Sequence, residues 1–410
     1  MHLKRLSAQQ FFMGSMLVVN IGNYTYNLIL GRLLTPAAFA DAAILITLLL
    51  VLSFLGMTFQ IVTSKYAVLY HSVKLNTVLK LLSRAALLAG FAIGLLIAVF
   101  AKTLQQLLKT ETHEMFLIFG LSVPLYFLIS VNRGLFQGKH QLNAMSVTYQ
   151  NEMIVRLFVT IFLIALVSII PSSITIALGI LLSCIVGLFP FQKRILKSNK
   201  VFSTSEISSR EIAIFFSLTA FYELTQIIIN NSDILLVKHF FSNDQAGVYA
   251  SLALIGRVVY FVTWMFVMLL LPEVIEKHKN EEDTAPTLLR YVGYVVMLAA
   301  VITSVCFLFP DFVVLLLFGK SYLSIAPLLW KYALATSIFA VANIFAYYFL
   351  STGKFLPVII SALLGLTQII LIVLFHNSLE QVVEMQIISM LVLLFFQLLF
   401  YFVNRRKRFV

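Results

Sequence analysis

The stretch AAILITLLLVLSFLGMTFQIVTS, residues 42–64, contains no Asp, Glu, Lys or Arg over 23 positions. An α-helix needs roughly 20 apolar residues to cross the hydrocarbon core of a membrane. The strands of a membrane β-barrel alternate polar and apolar residues, and no such alternation is present here. This stretch therefore predicts a transmembrane helix.

Comparable apolar stretches recur along the 410 residues, of which 61% are hydrophobic and 11% are charged. A soluble domain contains about 45–50% apolar and about 25% charged residues, so a water-soluble enzyme is excluded. The predicted fold class is all-α, a polytopic membrane protein with about twelve transmembrane helices. These spans are predicted near residues 11–34, 41–64, 81–100, 115–136, 145–170, 173–191, 211–240, 247–272, 288–309, 323–349, 356–375 and 382–403.

Lysines and arginines are unevenly divided between the two sets of span ends. The set that includes both termini and residues 192–210 carries 21 of them, with Arg133 among these, and the opposite set carries 5. Because cytoplasmic loops are enriched in Lys and Arg, both termini are predicted to be cytoplasmic. The formal net charge of +12 is thereby attributed to membrane topology, and no nucleic-acid partner is expected.

An internal repeat relates the two halves of the chain. GRLLTPAAFADAAIL at residues 31–45 aligns without gaps with KHFFSNDQAGVYASL at residues 238–252, at an offset of 207 residues. The pattern predicts two six-helix halves around a central cavity, since parallel repeats are typical of transporters that bind substrate between the halves. The predicted divisions are an N-terminal half (1–191), a cytoplasmic basic linker (192–210) and a C-terminal half (211–410).

Several short motifs resemble those of the multidrug/oligosaccharidyl-lipid/polysaccharide (MOP, MATE-like) exporter superfamily. Residues 31–39 resemble its R-L-L-x-P-x-x-F-G turn, although Ala40 replaces the last glycine. Residues 246–249 resemble its E-x-G-x-Y turn, with Gln245 in place of the acid. Twelve spans with a basic interior are similar to the polysaccharide, O-antigen or Wzx-type flippase branch. The lipid II flippases usually have fourteen spans and fit less well.

This resemblance implies a transporter and not an enzyme. The implied substrate is a lipid-linked oligosaccharide of the undecaprenyl-pyrophosphate type, flipped by alternating access across the bacterial inner (plasma) membrane for O-antigen, capsule or exopolysaccharide synthesis. Implied partners are membrane lipid, a polysaccharide polymerase and a chain-length regulator.

Charged and amide side chains inside the spans are the candidate substrate-binding residues, because charges in lipid are costly and usually face a hydrated cavity. A guanidinium group can donate two parallel hydrogen bonds to the oxygens of one phosphate. Instead of binding substrate, the cations at the span ends could extend their side chains to the lipid headgroups. The asparagines could instead form hydrogen bonds between helices. The set comprises Arg156, Arg257, Lys331, Arg32, Lys238, Asn23 and Asn230.

Three carboxylates inside the spans are candidates for ion coupling, namely Glu152, Glu223 and Asp233. Glu152 precedes Arg156 by four residues, so the two can pair on one helix face. Such a pair could instead serve only to lock two helices. Asp233 is predicted to take up a proton and so release a nearby cation, Arg257 or Lys331, for the pyrophosphate.

Two other functions stay open on the sequence alone. A multidrug antiporter would use an unpaired carboxylate such as Glu223 or Asp233 for a cationic drug. A non-transporting scaffold for glycan assembly is the third possibility. The tripeptide at residues 319–321 resembles the end of a phosphate-binding loop, but Val314 stands where that loop needs glycine. No ATP, metal or other cofactor is expected.

Overall fold

The computed structural model describes most of the chain. The described residues are 7–34, 36–108, 110–166, 170–192, 195, 208–241, 243–256, 258–317 and 320–406. All secondary structure within these ranges is helical, which confirms the predicted all-α class. The chain divides into two units, residues 1–220 and residues 221–410, with the division inside one long helix.

Fifteen α-helices and one 3-10 helix are present in the described residues. The first unit contains α1 (Ala8–Leu33), α2 (Pro36–Leu69), α3 (Ser72–Val99), α4 (Ala101–Leu108), α5 (Glu114–Gly138), α6 (Leu142–Leu166) and α7 (Ser172–Gly187). Helix α8 (Ser209–Phe240) runs from the first unit into the second. The second unit continues with α9 (Asn243–Gly256), α10 (Val258–Lys279), α11 (Ala285–Leu308), α12 (Pro310–Leu317), the 3-10 helix Lys320–Leu328, α13 (Leu329–Ser351), α14 (Phe355–Leu374) and α15 (Leu379–Arg406).

Ten helices in the described part are long and apolar enough to cross a membrane, against twelve predicted spans. The other two predicted spans coincide with α1 and α7. Helix α7 has 16 residues, which at 1.5 Å per residue falls short of the hydrocarbon thickness of about 30 Å. Helix α1 is long enough, with 26 residues, and it carries three asparagines at Asn20, Asn23 and Asn27. The prediction of a polytopic helical membrane protein is confirmed.

The order of helices supports the internal repeat. Each half has a short helix of 8 residues after its third long span, α4 in the first and α12 in the second. Helix α5 in the first unit corresponds in sequence to α13 in the second, and both are largely buried. The predicted halves at 1–191 and 211–410 stay a prediction, and most of the predicted linker at 192–210 lies outside the described residues.

Helix α5 forms the centre of the first unit because glycines let its backbone approach its neighbours. A methyl group at Gly134 would collide with the main-chain oxygen of Gln60 on α2. A methyl group at Gly120 would lie 2.7 Å from the main-chain oxygen of Gly94 on α3. Small residues allow this close helix packing in membranes, where water does not drive apolar faces together. The close approach brings the polar side chains of α2, α5 and α6 into contact.

Candidate functional site

A carboxylate between two guanidinium groups lies at the centre of the first unit. The Oε2 atom of Glu152 on α6 accepts a hydrogen bond from Nη2 of Arg133 at 2.7 Å. Its Oε1 atom accepts from Nη1 of Arg156 at 3.1 Å. The predicted pair of Glu152 and Arg156 is confirmed, and the sequence did not anticipate the second arginine. We call these three residues the arginine cluster.

The guanidinium group of Arg133 has hydrogen bonds to Thr148 and a ring contact in addition to its salt bridge with Glu152. Its Nε donates to Oγ1 of Thr148 and its Nη2 to the main-chain oxygen of Thr148, both at 3.0 Å. Its guanidinium carbon lies 3.6 Å from the centre of the Tyr149 ring, a cation–π contact. The side chain is 5% exposed. Counting Arg133 among the cytoplasmic loop charges was therefore wrong.

Arg156 is bound less tightly than Arg133. Its Nη2 donates to Oδ1 of Asn23 on α1 at 2.6 Å. Its side chain is 12% exposed, and its guanidinium lies 6.0 Å from the Tyr26 ring. Two of the predicted substrate residues, Arg156 and Asn23, are thus brought together with one predicted coupling residue, Glu152.

Amide and hydroxyl groups extend this polar network to α2. The hydroxyl of Tyr149 donates to Oε1 of Gln60 at 3.0 Å, and Nε2 of Gln60 donates to Oε1 of Gln137 at 3.0 Å. Buried polar groups of this kind are stable when they are hydrogen-bonded to one another. Gly187 on α7 completes the wall, since a methyl group there would lie 3.1 Å from Cβ of Glu152.

The arginine cluster carries an excess of positive charge. Two guanidinium groups and one carboxylate leave a single net positive charge, buried among helices that cross the membrane. A buried ion pair is costly unless its geometry is good, and an uncompensated buried charge is costlier still. The arrangement suits an anionic ligand that supplies the missing negative charge.

The second unit has a different polar centre, built on carboxyl groups and tyrosines. The hydroxyl of Tyr347 on α13 donates to Oε1 of Glu223 on α8. Beside it, the hydroxyl of Tyr222 donates to Oδ1 of Asn343 at 2.5 Å. In the described part of the chain, Tyr347 is the hydrogen-bond partner of Glu223, and this carboxyl group is 5% exposed.

Asp233 lies further along α8 against two tyrosines. Its Oδ2 atom accepts from the hydroxyl of Tyr332 at 2.7 Å and from that of Tyr249 at 3.3 Å. Nε2 of Gln386 donates to the Tyr249 hydroxyl at 2.7 Å. A cavity of about 20 Å³ lies beside Asp233 and is lined also by Tyr332, Gln386 and Asn230. One or two water molecules fill such a space.

Lys331 does not face Asp233. Its Nζ atom lies 2.6 Å from Oε1 of Glu380 and 3.0 Å from Oε1 of Glu384, both on α15. Its charge is therefore already compensated by two carboxylates. In the described structure, this predicted phosphate ligand is held in a salt bridge of its own.

Three predicted substrate residues lie outside what the structure describes. Arg257 falls between α9 and α10 at a position outside the described residues, and the side chains of Arg32 and Lys238 are likewise not described. In the part that is described, no three His, Cys, Asp or Glu side chains are grouped as a metal site would require. The two cysteines, Cys184 and Cys306, are both buried and free.

Sequence reasoning missed Arg133, Tyr332 and Tyr347. A signal existed for Arg133, because it lies inside the predicted span 115–136, where a cation needs a partner. Nineteen positions separate it from Glu152, and no local spacing links the two. Tyrosines are common in apolar helices, so nothing in the sequence marks the two that bind carboxyl groups.

A sequence profile described as polysaccharide biosynthesis protein matches residues 29–327. The chain belongs to this family. The match covers most of both units and includes Arg133, Glu152, Arg156, Glu223 and Asp233. No curated protein matches the sequence.

The chain shares its fold with solved MATE and MOP superfamily transporters. It is similar to a MATE protein in the straight conformation, with a TM-score of 0.78, 13% identity and 98% of each chain covered. It is similar to an outward-facing multidrug resistance MATE transporter of the MOP superfamily, with a TM-score of 0.77 and 15% identity over 98% of this chain and 95% of the other.

A third similar structure is a MOP superfamily transporter from Pyrococcus furiosus, with a TM-score of 0.71 and 14% identity over 96% of both chains. At such low identity the likeness concerns the fold. The predicted resemblance to the MOP superfamily is confirmed by family and fold together. Both indicate a multi-pass membrane transporter rather than an enzyme.

Proposed function

We propose that the protein exports a lipid-linked oligosaccharide of the undecaprenyl-pyrophosphate type, and that the arginine cluster of the first unit binds its diphosphate. The observation that carries this proposal is the buried excess of positive charge at Arg133, Glu152 and Arg156. Membership of the polysaccharide biosynthesis family supports a glycan as the rest of the cargo.

The diphosphate is the part of such a substrate that lipid excludes most strongly. It has to cross about 30 Å of hydrocarbon, and an ion in that region needs fixed opposite charges. The planar fork of a guanidinium matches two phosphate oxygens at once. Arg156 is the most exposed side chain of the cluster, at 12%, so it is the residue assigned to touch the phosphate.

The remaining substrate residues are proposed on the same chemistry. Arg257, Arg32 and Lys238 would add cations along the path, and Asn230 would bind sugar hydroxyls. Lys331 is the weakest of the proposed ligands, because Glu380 and Glu384 already neutralise it. The proposed location is the bacterial inner membrane with both termini in the cytoplasm, and the proposed partners are a polysaccharide polymerase and a chain-length regulator.

Asp233 is the proposed coupling residue, with Glu223 as a second candidate. The cavity beside Asp233 gives water a place next to a carboxyl group that is otherwise 1% exposed. Water at that point could deliver a proton to the carboxyl group, which also accepts hydrogen bonds from tyrosine hydroxyls at 2.7 and 3.3 Å. Proton uptake would then drive the change between inward-open and outward-open states.

Multidrug antiport is the second candidate function, and one observation favours it. Glu223 is a buried carboxyl whose described partner is the neutral Tyr347, and a cationic drug could pair with such a group. The arginine cluster argues against it, since a buried positive charge repels a cationic drug. In the MOP superfamily transporter from Pyrococcus furiosus, the reverse polarity of the binding pocket suggests a different function for that protein.

Transport by purified protein in liposomes decides between the two. A fluorescent polyprenyl-diphosphate oligosaccharide placed in one leaflet should reach the other with wild-type protein and not with Arg156→Met. Ethidium efflux from cells should be absent. Efflux that disappears in Glu223→Gln, without movement of the lipid diphosphate, would establish the antiporter instead.

A further inference from the structure

The two arginines that share Glu152 are held in different ways. Each gives one hydrogen bond to the carboxylate, at 2.7 Å from Arg133 and at 3.1 Å from Arg156. Among the described residues, Arg133 donates two further hydrogen bonds to Thr148 and stacks on the Tyr149 ring, whereas Arg156 donates one further hydrogen bond, to Asn23. Arg133 is therefore held more firmly than Arg156, which has fewer described contacts.

Any movement of Arg156 toward a ligand has a consequence for Glu152. The carboxylate is 9% exposed, and a buried charge without a partner is strongly destabilising. With Arg156 as its sole partner, Glu152 would hold that guanidinium with both oxygens and cancel its charge. Arg133 removes this constraint because it stays on Oε2 whichever way Arg156 turns.

We propose that Arg133 is the permanent counter-ion of Glu152, a positioning residue that frees Arg156 to bind an anion. This inference rests on the proposed function, in which Arg156 meets the diphosphate. Arg133 touches no substrate and acts through Glu152. The positive charge of Arg133 neutralises Glu152, so the charge of Arg156 remains available to an anionic ligand.

Binding of farnesyl diphosphate to the purified full chain tests the charge argument. Arg133→Met makes the cluster neutral and should weaken binding by about tenfold or more, the size of one lost charge-assisted hydrogen bond. Arg133→Met combined with Glu152→Gln restores the single positive charge and should restore binding. Arg133→Lys keeps the charge without the fork and should bind nearly as the wild type does.

A purely structural role for Arg133 predicts another order of affinities. The hydrogen bonds to Thr148 would then matter more than charge, so Arg133→Lys and the double variant would both stay weak while folded. That result would overturn the proposal, as would wild-type affinity in Arg133→Met. Thermal unfolding of each variant shows which are folded. If Arg133→Met fails to fold, the double variant decides, because it keeps the single positive charge and should bind as the wild type does.

A second measurement needs no substrate. Phenylglyoxal modifies accessible guanidinium groups, and its rate at Arg156 can be followed by mass spectrometry of the peptide. Arg156 should react several-fold more slowly in Arg133→Met than in the wild type, and faster again in the double variant and in Glu152→Gln. Equal rates in all variants would overturn the counter-ion role. If the rates follow this order but no protein binds farnesyl diphosphate, the proposed function is wrong and the counter-ion role stands.

Discussion

The Nη2 atom of Arg156 lies 2.6 Å from Oδ1 of Asn23, which ties the middle of α6 to the middle of α1. The corresponding asparagine of the second half, Asn230, donates instead to the main-chain oxygen of Gln226 on its own helix. Matched positions of the repeat therefore serve different chemistry. The first unit centres on guanidinium groups and the second on carboxyl groups bound by tyrosines.

The contact to Asn23 orients the guanidinium that we assign to the phosphate. Asn23→Leu removes a hydrogen bond to a charged group, worth about 1.5–3 kcal/mol, and binding of farnesyl diphosphate should weaken by about tenfold. Asn27→Leu is the matched control, because Asn27 lies one turn further along α1 and its amide donates to the main-chain oxygen of Asn23. If both substitutions weaken binding of farnesyl diphosphate equally, Asn23 has no specific role in orienting Arg156.

Loss of the shared carboxylate of Glu152 should destabilise the fold more than loss of the Arg156 side chain. Glu152→Ala leaves two buried guanidinium groups beside each other with no counter-charge, and about 3–5 kcal/mol of stability should be lost. Arg156→Ala leaves Glu152 paired with Arg133 at 2.7 Å, so its cost should be clearly smaller. Thermal and denaturant unfolding in detergent micelles compares them.

The double variant Glu152→Ala with Arg156→Ala separates folding from transport. It removes one negative and one positive charge and leaves Arg133 unpaired, so the protein should remain less stable than Arg156→Ala alone. Export should not return, because the assigned phosphate ligand is gone. Restored export in the double variant would show that the pair of Glu152 and Arg156 only joins helices.

Lys331 provides a test of which cations matter. Its ammonium group already faces two carboxylates of α15 that are about half exposed, and ion pairs so close to solvent contribute up to about 1 kcal/mol. Lys331→Met should therefore leave export and stability close to the wild type, whereas Arg156→Met abolishes export. Loss of export in Lys331→Met, with normal amounts of protein in the membrane, would instead support Lys331 as a phosphate ligand.

The class of fold and the ends of most helices follow from the sequence, because burial in lipid demands continuous apolar stretches. The pair of Glu152 and Arg156 also follows, since both lie on one helix face. The partners of Glu223 and Asp233 do not, because Tyr347 and Tyr332 reach them across 124 and 99 residues. Arg133 was misassigned for the same reason, since its partner Glu152 is on another helix.

Asp233 is the residue at which we propose that proton uptake is coupled to export. Asp233→Asn imitates the protonated carboxyl group, so binding of farnesyl diphosphate should persist while any remaining export ignores an uncoupler. Tyr332→Phe removes the 2.7 Å hydrogen bond but keeps the carboxyl group. Its export should be slower by several-fold and should still respond to the uncoupler.

Tyr294→Phe is the matched control for Tyr332→Phe, because Tyr294 on α11 is 44% exposed and is not one of the two tyrosines described as donating to Asp233. It should export at the wild-type rate. Export is measured in liposomes with an imposed proton gradient, with and without the uncoupler, and compared with the amount of protein inserted. A coupling residue cannot be replaced without changing the response to the gradient. Wild-type rate and wild-type uncoupler response in Asp233→Asn would therefore exclude Asp233, and the same assay on Glu223→Gln would then test the other buried carboxyl group.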